Sequence, residues 1–374
     1  MKKFIVVILL ILLGAAAFRV FGIGKTSVRK VAENIVERVD EESGLSELEK
    51  DINPLSIDAL KNEKFIGSEI IIEQTLEPGS NHQRYLTSYL SEGNKIFALL
   101  TVPNSSAGHS TLRDEPSGSD SKNSGQVKPE KGWPVIVFNH GYIPPAEYRT
   151  TERYLAYTDA FSRNGYIVFK SDYRGHGSSE GVSRGGYGSN DYTIDVLNAL
   201  ASIKKYKDAD PTKIGMWGHS MGGFIALRSM VVNKDIKVGV IWAGVVASYP
   251  DLLTRWRRVS TTPPATSGLS IGWRTLLTQT YGNPASNPKF WNSISANNYL
   301  SDISGPIQLH HGTADTSVPV EFSEKLDKQL KVVGKPSELY IYEGDDHNLS
   351  INLGVALERS VEYFDKVLKP SQEL

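Results

Sequence analysis

The sequence predicts an α/β fold: a mostly parallel central sheet with helices on both faces and a small lid-like insertion. Three observations predict it. From Trp133 onward, short apolar runs alternate with stretches of helical spacing, the pattern of a parallel sheet covered on both sides. One of those runs ends in Gly218-His219-Ser220-Met221-Gly222-Gly223 and leads straight into a helix-like segment. One segment, 248–300, breaks the alternation with a long stretch rich in Trp, Pro, Ser and Asn.

Composition bounds the function. The chain has 374 residues, of which 22% are charged and 40% hydrophobic, an ordinary globular balance. With 41 basic and 42 acidic side chains the net charge is near -1, so electrostatics gives no reason to expect nucleic acid. There is no cysteine, which excludes disulfides, thiolate metal sites, a cysteine nucleophile and a lipid-modified N-terminal cysteine.

Taken in order, residues 1–24 read as an export segment. Lys2 and Lys3 precede an apolar run from Phe4 to Phe18, with the positive end expected to stay inside. Ala15-Ala16-Ala17 fits a cleavage site; alternatively the segment stays as a membrane anchor reaching to about Ile23, with Arg19 snorkelling to the interface. The anchor is favoured because a charged, helix-prone stem follows over 25–64, with Val28, Val31, Ile35 and Val36 at helical spacing. Either way the body, 65–374, is expected outside the cytoplasm.

"SEIIIEQTL" and "QRYLTSYLSEGNKIFALLTVP" read as strands, with a hairpin turn at Glu92-Gly93-Asn94. Residues 104–132 collapse into Ser, Gly, Pro, Asp and Lys, the composition of a flexible surface loop. Then follow a strand "WPVIVFN", a helix "TERYLAYTDAFSRNG", a strand "YIVFKSD", a helix "YTIDVLNALASIKKY", a strand "KIGMWG" and a helix from Met221 to Val232. "VGVIWAGVV" and "PIQLHHG" are strands on either side of the insertion. A helix from Val320 to Val333, a strand "SELYIYEG" and a helix from Ser350 to Leu368 complete the chain. The insertion is expected to form short helices over the site. Its aromatics Trp256, Trp273, Tyr281, Phe290 and Trp291 either line a pocket or pack the lid.

In parallel sheets the ligand site lies at the carboxyl ends of the strands. Gly218-His219-Ser220-Met221-Gly222 stands there, between strand and helix, the context required of a G-x-S-x-G nucleophile elbow. The serine needs small neighbours because its turn is strained. The amide of Met221, at the helix N-terminus, is placed to stabilise an oxyanion. A serine hydroxyl also needs a base. Among eight histidines, His347 in "EGDDHNLS" follows the last strand, downstream of the serine. Asp315 in "HHGTADTSVP" follows the strand before it and is the expected acid, with Asp251 the runner-up. Asp345 and Asp346 sit too close to His347 in the chain for a well-aimed pairing and are expected to shape the turn. The second oxyanion donor is expected after "WPVIVFN", where Gly141 allows close approach and the Tyr142 amide is the best candidate. Asp172 and Arg174 in "DYRGHGSSEG" are expected to tie down their loop.

These segments resemble the α/β-hydrolase superfamily, and more closely the catalytic domain of the prolyl oligopeptidase family of serine peptidases. "FNHGY", "SDYRGHGSSEG", "GMWGHSMGG", "LHHGTADTSVP" and "YIYEGDDHNLS" occur in the family's order over roughly 130–370. The resemblance implies Ser220 as nucleophile, Asp315 as acid, His347 as base, and Tyr142 and Met221 as oxyanion donors, with no metal and no cofactor. "HGY" stands where the family more commonly has "HGG". The family's larger peptidases carry an N-terminal β-propeller, and the stretch between anchor and sheet is too short for one. The expected substrate is a small peptide or an ester, peptide being favoured by the resemblance. A carboxylesterase is the second reading, and a non-catalytic anchored binding protein the rival from another class. Every triad position holds a competent residue, which argues against the last.

Overall fold

The computed structural model describes residues 52–105, 126–256 and 272–370. The expected anchor, most of the expected stem, residues 106–125 of the expected loop and 257–271 of the insertion lie outside the described residues.

Among the described residues the sheet has nine strands. It begins with an antiparallel meander of β1 (Ile71–Leu76), β2 (His82–Ser91) and β3 (Asn94–Pro103). The β2–β3 turn is the tight hairpin that the sequence suggests. Glu92 and Gly93 both take positive φ, 47° and 80°, the backbone of a two-residue turn matched to strand twist. β3 then pairs antiparallel with β5 (Ile167–Ser171). From there the sheet is parallel through β4 (Trp133–Asn139), β6 (Ala209–His219), β7 (Ile236–Trp242), β8 (Ile307–Gly312) and β9 (Ser337–Tyr342). The strand order is β1-β2-β3-β5-β4-β6-β7-β8-β9. After β4 the chain adds β5 on one side and then returns to add β6 on the other. That is a topological switch point, where loops diverge and leave a crevice.

The alternating direction of side chains along a strand builds two cores. On β4, Val135 and Val137 face one core, whereas Ile136 and Phe138 face the other. The first core is closed by α1 (Ile57–Asn62), α3 (Asp191–Ile203), α4 (Met221–Val232) and α8 (Glu321–Val332). The second is closed by α2 (Leu155–Arg163) and α9 (Leu353–Leu368), whose Phe161 and Phe364 meet edge to face. The covering helices of the insertion are α5 (Tyr249–Thr254), α6 (Trp273–Tyr281), α7 (Pro288–Ile294) and a 3₁₀ turn (Ala296–Asp302). They join the first core: Trp291 is fully buried and Phe290 stacks on Tyr281.

Among the boundaries that differ from the sequence reading, two have a clear physical cause. The body forms one compact unit from Leu55 rather than from residue 65. Ser56 caps α1 through the Ala59 amide, and Ile57 and Leu60 are buried against the main core. α2 starts at Leu155 rather than near Thr151, because Tyr154 sits in the left-handed region with φ 62°, which ends helical hydrogen bonding on its N-terminal side.

If α1 belongs to the body, Leu60→Ala lowers the unfolding free energy measured in urea by about 2–5 kcal/mol. A loss below about 0.5 kcal/mol would instead mark a peripheral stem.

Candidate active site

Ser220 occupies the turn between β6 and α4 with φ 55° and ψ -117°. A non-glycine residue rarely adopts positive φ, and such strain persists only where surroundings over-determine it. Here the backbone does so. The Ser220 amide donates to the Trp242 carbonyl, and the Ser220 carbonyl accepts from the amides of Gly223 and Val245, each at 3.0 Å. The flanking glycines are steric necessities. A Cβ on Gly218 would lie 2.4 Å from the Gly222 carbonyl oxygen, and one on Gly222 would lie 2.0 Å from that of Asn139. The α4 N-terminus is thereby pressed against the end of β4.

Asp315 and His347 come from the loops after β8 and β9 and meet directly. His347 Nδ1 lies 2.7 Å from Asp315 Oδ2. The Asp315 side chain is fully buried, while that of His347 is about one-fifth exposed. Asp315 Oδ1 accepts from the amides of Ser317 and Val318, and Oδ2 lies 3.1 Å from His311 Nε2. Burial alone would raise the Asp315 pKa; hydrogen bonds from His311 and His347 reverse that and hold it well below the ordinary carboxylate value. His311 is itself fixed, with Nδ1 2.7 Å from the Ser323 hydroxyl. Its contact with Asp315 was not foreseen, although the adjacent pair His310-His311 on a strand must point to opposite faces. His310 turns to the other core, beside Trp242.

A second unforeseen network joins the three loops of the site. The Gly141 amide donates to the Tyr154 hydroxyl, which bonds His219 Nδ1 at 2.8 Å. His219 Nε2 in turn donates to the His347 carbonyl at 2.9 Å. The bonds form a consistent chain only if His219 is neutral with its proton on Nε2. Burial, then the nearby His347, depress its pKa to about 3.

Ser220 stands between two cavities. One, of about 330 Å³, is walled by Gly141, Tyr142, Tyr154, His219 and His347 as well as Ser220. The other, of about 230 Å³, is walled by Tyr142, Met221, Tyr187, Trp256, Trp273 and others. Tyr142 thus borders both, and Gly141 packs so closely that a Cβ there would be 3.3 Å from Ser220 Cβ. Met221 is the first residue of α4, where amides have no partner within the helix.

The remaining sequence candidates lie elsewhere. Asp251 is engaged by Lys325 and Arg255. Asp345 accepts from the amides of Asp346, Ile351 and Asn352, and Asp346 from those of Asn348 and Ser350, so both organise the His347 turn. Arg174 pairs with Asp195 and Glu92, and Asp172 accepts from Thr150 and Ser179. No cluster of three metal-binding side chains occurs among the described residues.

Comparison with known proteins adds family evidence. Residues 153–371 match the model of the prolyl oligopeptidase family. An uncharacterized peptidase, YuxL, of Bacillus subtilis is 27% identical over 60% of this chain, which covers only 32% of that relative. Among solved structures, acylaminoacyl peptidase of Pyrococcus horikoshii superposes with TM-score 0.57 at 21% identity over 79% of this chain and 43% of its own. Est1E of Butyrivibrio proteoclasticus superposes with TM-score 0.52 at 20% identity over 74% of this chain and 98% of its own. The two structural likenesses establish the α/β-hydrolase fold.

The His219 network has a pH signature. A histidine whose folded pKa is about 3, against 6.5 for a free one, leaves the folded state with fewer bound protons between those values. Its stabilising contribution is complete above pH 6.5 and is lost as pH falls towards 3. Between pH 7 and 4.5 the native chain is expected to lose more unfolding free energy in urea than His219→Gln; equal losses would refute the neutral assignment.

Proposed function

This chain belongs to the prolyl oligopeptidase family, and on that premise we propose that it is a serine hydrolase cleaving peptide substrates. The observation that carries the reading is the 2.7 Å contact of Asp315 with His347 Nδ1, with His347 and Ser220 on the wall of one cavity. That contact directs His347 Nε2 to serve as the base. Ser220 Oγ attacks the scissile carbonyl carbon as its proton passes to His347 Nε2. Asp315 keeps the imidazole in the required tautomer and stabilises the imidazolium. The amides of Met221 and Tyr142 donate to the oxyanion. The tetrahedral intermediate expels the leaving amine, which takes the proton from His347, and water then hydrolyses the acyl-enzyme by the same route.

A carboxylesterase is the second reading. It is favoured by the near-complete coverage of Est1E, whereas peptidases such as acylaminoacyl peptidase are covered over less than half their length. The run from Lys2 through Phe18 supports export of the body, with the N-terminal segment retained as a membrane anchor. Intact mass of protein from cells tests retention: loss of about the first 17 residues would replace the anchor with a cleaved signal.

Ser220→Ala is expected to lower kcat on peptide nitroanilides by about four orders of magnitude or more, and Asp315→Asn by a similar factor. Serine-dependent turnover of nitrophenyl esters alone would select the esterase reading. No turnover together with no labelling of Ser220 by a fluorophosphonate would overturn both.

A further inference from the structure

The two cavities at Ser220 are not equivalent. On the hydrolase reading above, His347 hands a proton to the leaving group, so that group occupies the cavity with His347 on its wall. The acyl part of the substrate then enters the other, which has room for one amino-acid-sized group.

The described wall of the acyl cavity carries one formal charge, Arg274. Its guanidinium lies 4.5 Å from the Trp273 ring centroid and 5.1 Å from that of Trp256. Nη2 donates to the carbonyls of Leu252 and Trp256 at 3.2 and 3.1 Å. Among the described residues the Nε and Nη1 hydrogens find no acceptor. Among the described residues no carboxylate pairs with Arg274, in contrast to Arg174, which has Asp195 and Glu92. Nor does the rest of the insertion hold an acid for it. Asp251 is the sole acidic residue in 248–300, and Lys325 and Arg255 already engage it. Burial lowers the Arg274 pKa, and the one neighbour opposing that shift is Tyr187. A guanidinium stays charged under such conditions, so Arg274 is a partly desolvated cation without a counter-charge among the described residues, and a carboxylate in the cavity would relieve that cost.

We propose that Arg274 selects the acyl group, and that the residue supplying the scissile carbonyl has an acidic side chain, glutamate or aspartate. Both indole rings lie within cation–π distance of the guanidinium, whose planar fork of N–H donors can meet a carboxylate in a way that lysine would not reproduce.

The test compares blocked peptide nitroanilides ending in glutamate or in glutamine at the scissile residue, with the full chain and with Arg274→Met and Arg274→Lys. The full chain is expected to favour glutamate in kcat/KM by roughly tenfold to a hundredfold. Arg274→Met is expected to abolish the preference while still cleaving the glutamine substrate, and Arg274→Lys to keep part of it. Equal rates on the two substrates in the full chain, or an unchanged preference in Arg274→Met, would overturn the assignment of Arg274 and leave the hydrolase reading standing. If neither substrate is cleaved, calorimetric binding of N-acetylglutamate against N-acetylglutamine to Ser220→Ala decides independently of turnover. Preference for the glutamate derivative supports the subsite, and equal or absent binding refutes it.

Discussion

The site depends on the backbone of Ser220. Holding a non-glycine residue at φ 55° costs on the order of 1–3 kcal/mol, and the register of the sheet supplies the restraint. His219 is paired with Trp242 in the ladder between β6 and β7. The Ser220 amide can therefore continue onto the Trp242 carbonyl after β6 has ended. On the other side, the missing Cβ of Gly222 lets α4 close on the Asn139 carbonyl at the end of β4. The serine is thus clamped between its two neighbouring strands at the point where the strand order reverses. The close packing of the start of α4 against the end of β4 follows from that clamp.

Electrostatics separates groups that are equally buried. Asp315 and His310 both have fully buried side chains, yet burial leaves one charged and the other neutral. The difference lies in donors. Asp315 collects two backbone amides and two imidazoles, enough to outweigh desolvation. For His310 burial is the leading cause and Arg359 adds to it, so its pKa falls to about 3. His219 follows His310, and its neutrality lets it accept from Tyr154 on one nitrogen while donating to the His347 backbone from the other. The His347 loop is thereby positioned by the residue next to Ser220.

Much of this was legible in the sequence because the signals are local. Short, largely apolar runs between helical stretches marked β4 to β8, Glu92-Gly93 marked the hairpin, and glycines around Ser220 marked the elbow. Asp315 and His347 followed from chain order at successive strand ends. Elements set by tertiary packing were not legible. α1 looks like part of a polar stem until Ile57 and Leu60 find the first core. The tie from Gly141 through Tyr154 to His219 spans loops far apart in the chain and has no pattern of its own. In the insertion, composition alone does not separate Trp291, which packs the core, from Trp256 and Trp273, which wall a cavity.

That last distinction separates chemistry from selectivity. The groups proposed to act on the substrate carbonyl, Ser220, Asp315 and His347, stand just after strand ends. Trp256, Trp273 and Arg274, which line the proposed acyl cavity, stand on the insertion, yet they are not loosely held. Trp256 Nε1 donates to the Ser317 carbonyl, and the Ser317 amide donates to Asp315, so one wall of the cavity that holds Arg274 is bonded to the loop that carries Asp315. Arg274 is bonded to the carbonyls of Leu252 and Trp256 on the preceding segment. A charge fixed in this way costs little further ordering when a substrate arrives, and hydrogen bonds through Trp256 and Ser317 tie it to Asp315 and so to His347. Misplacing that cation by loosening α6 would therefore weaken selection between acyl groups while leaving the clamp on Ser220 intact.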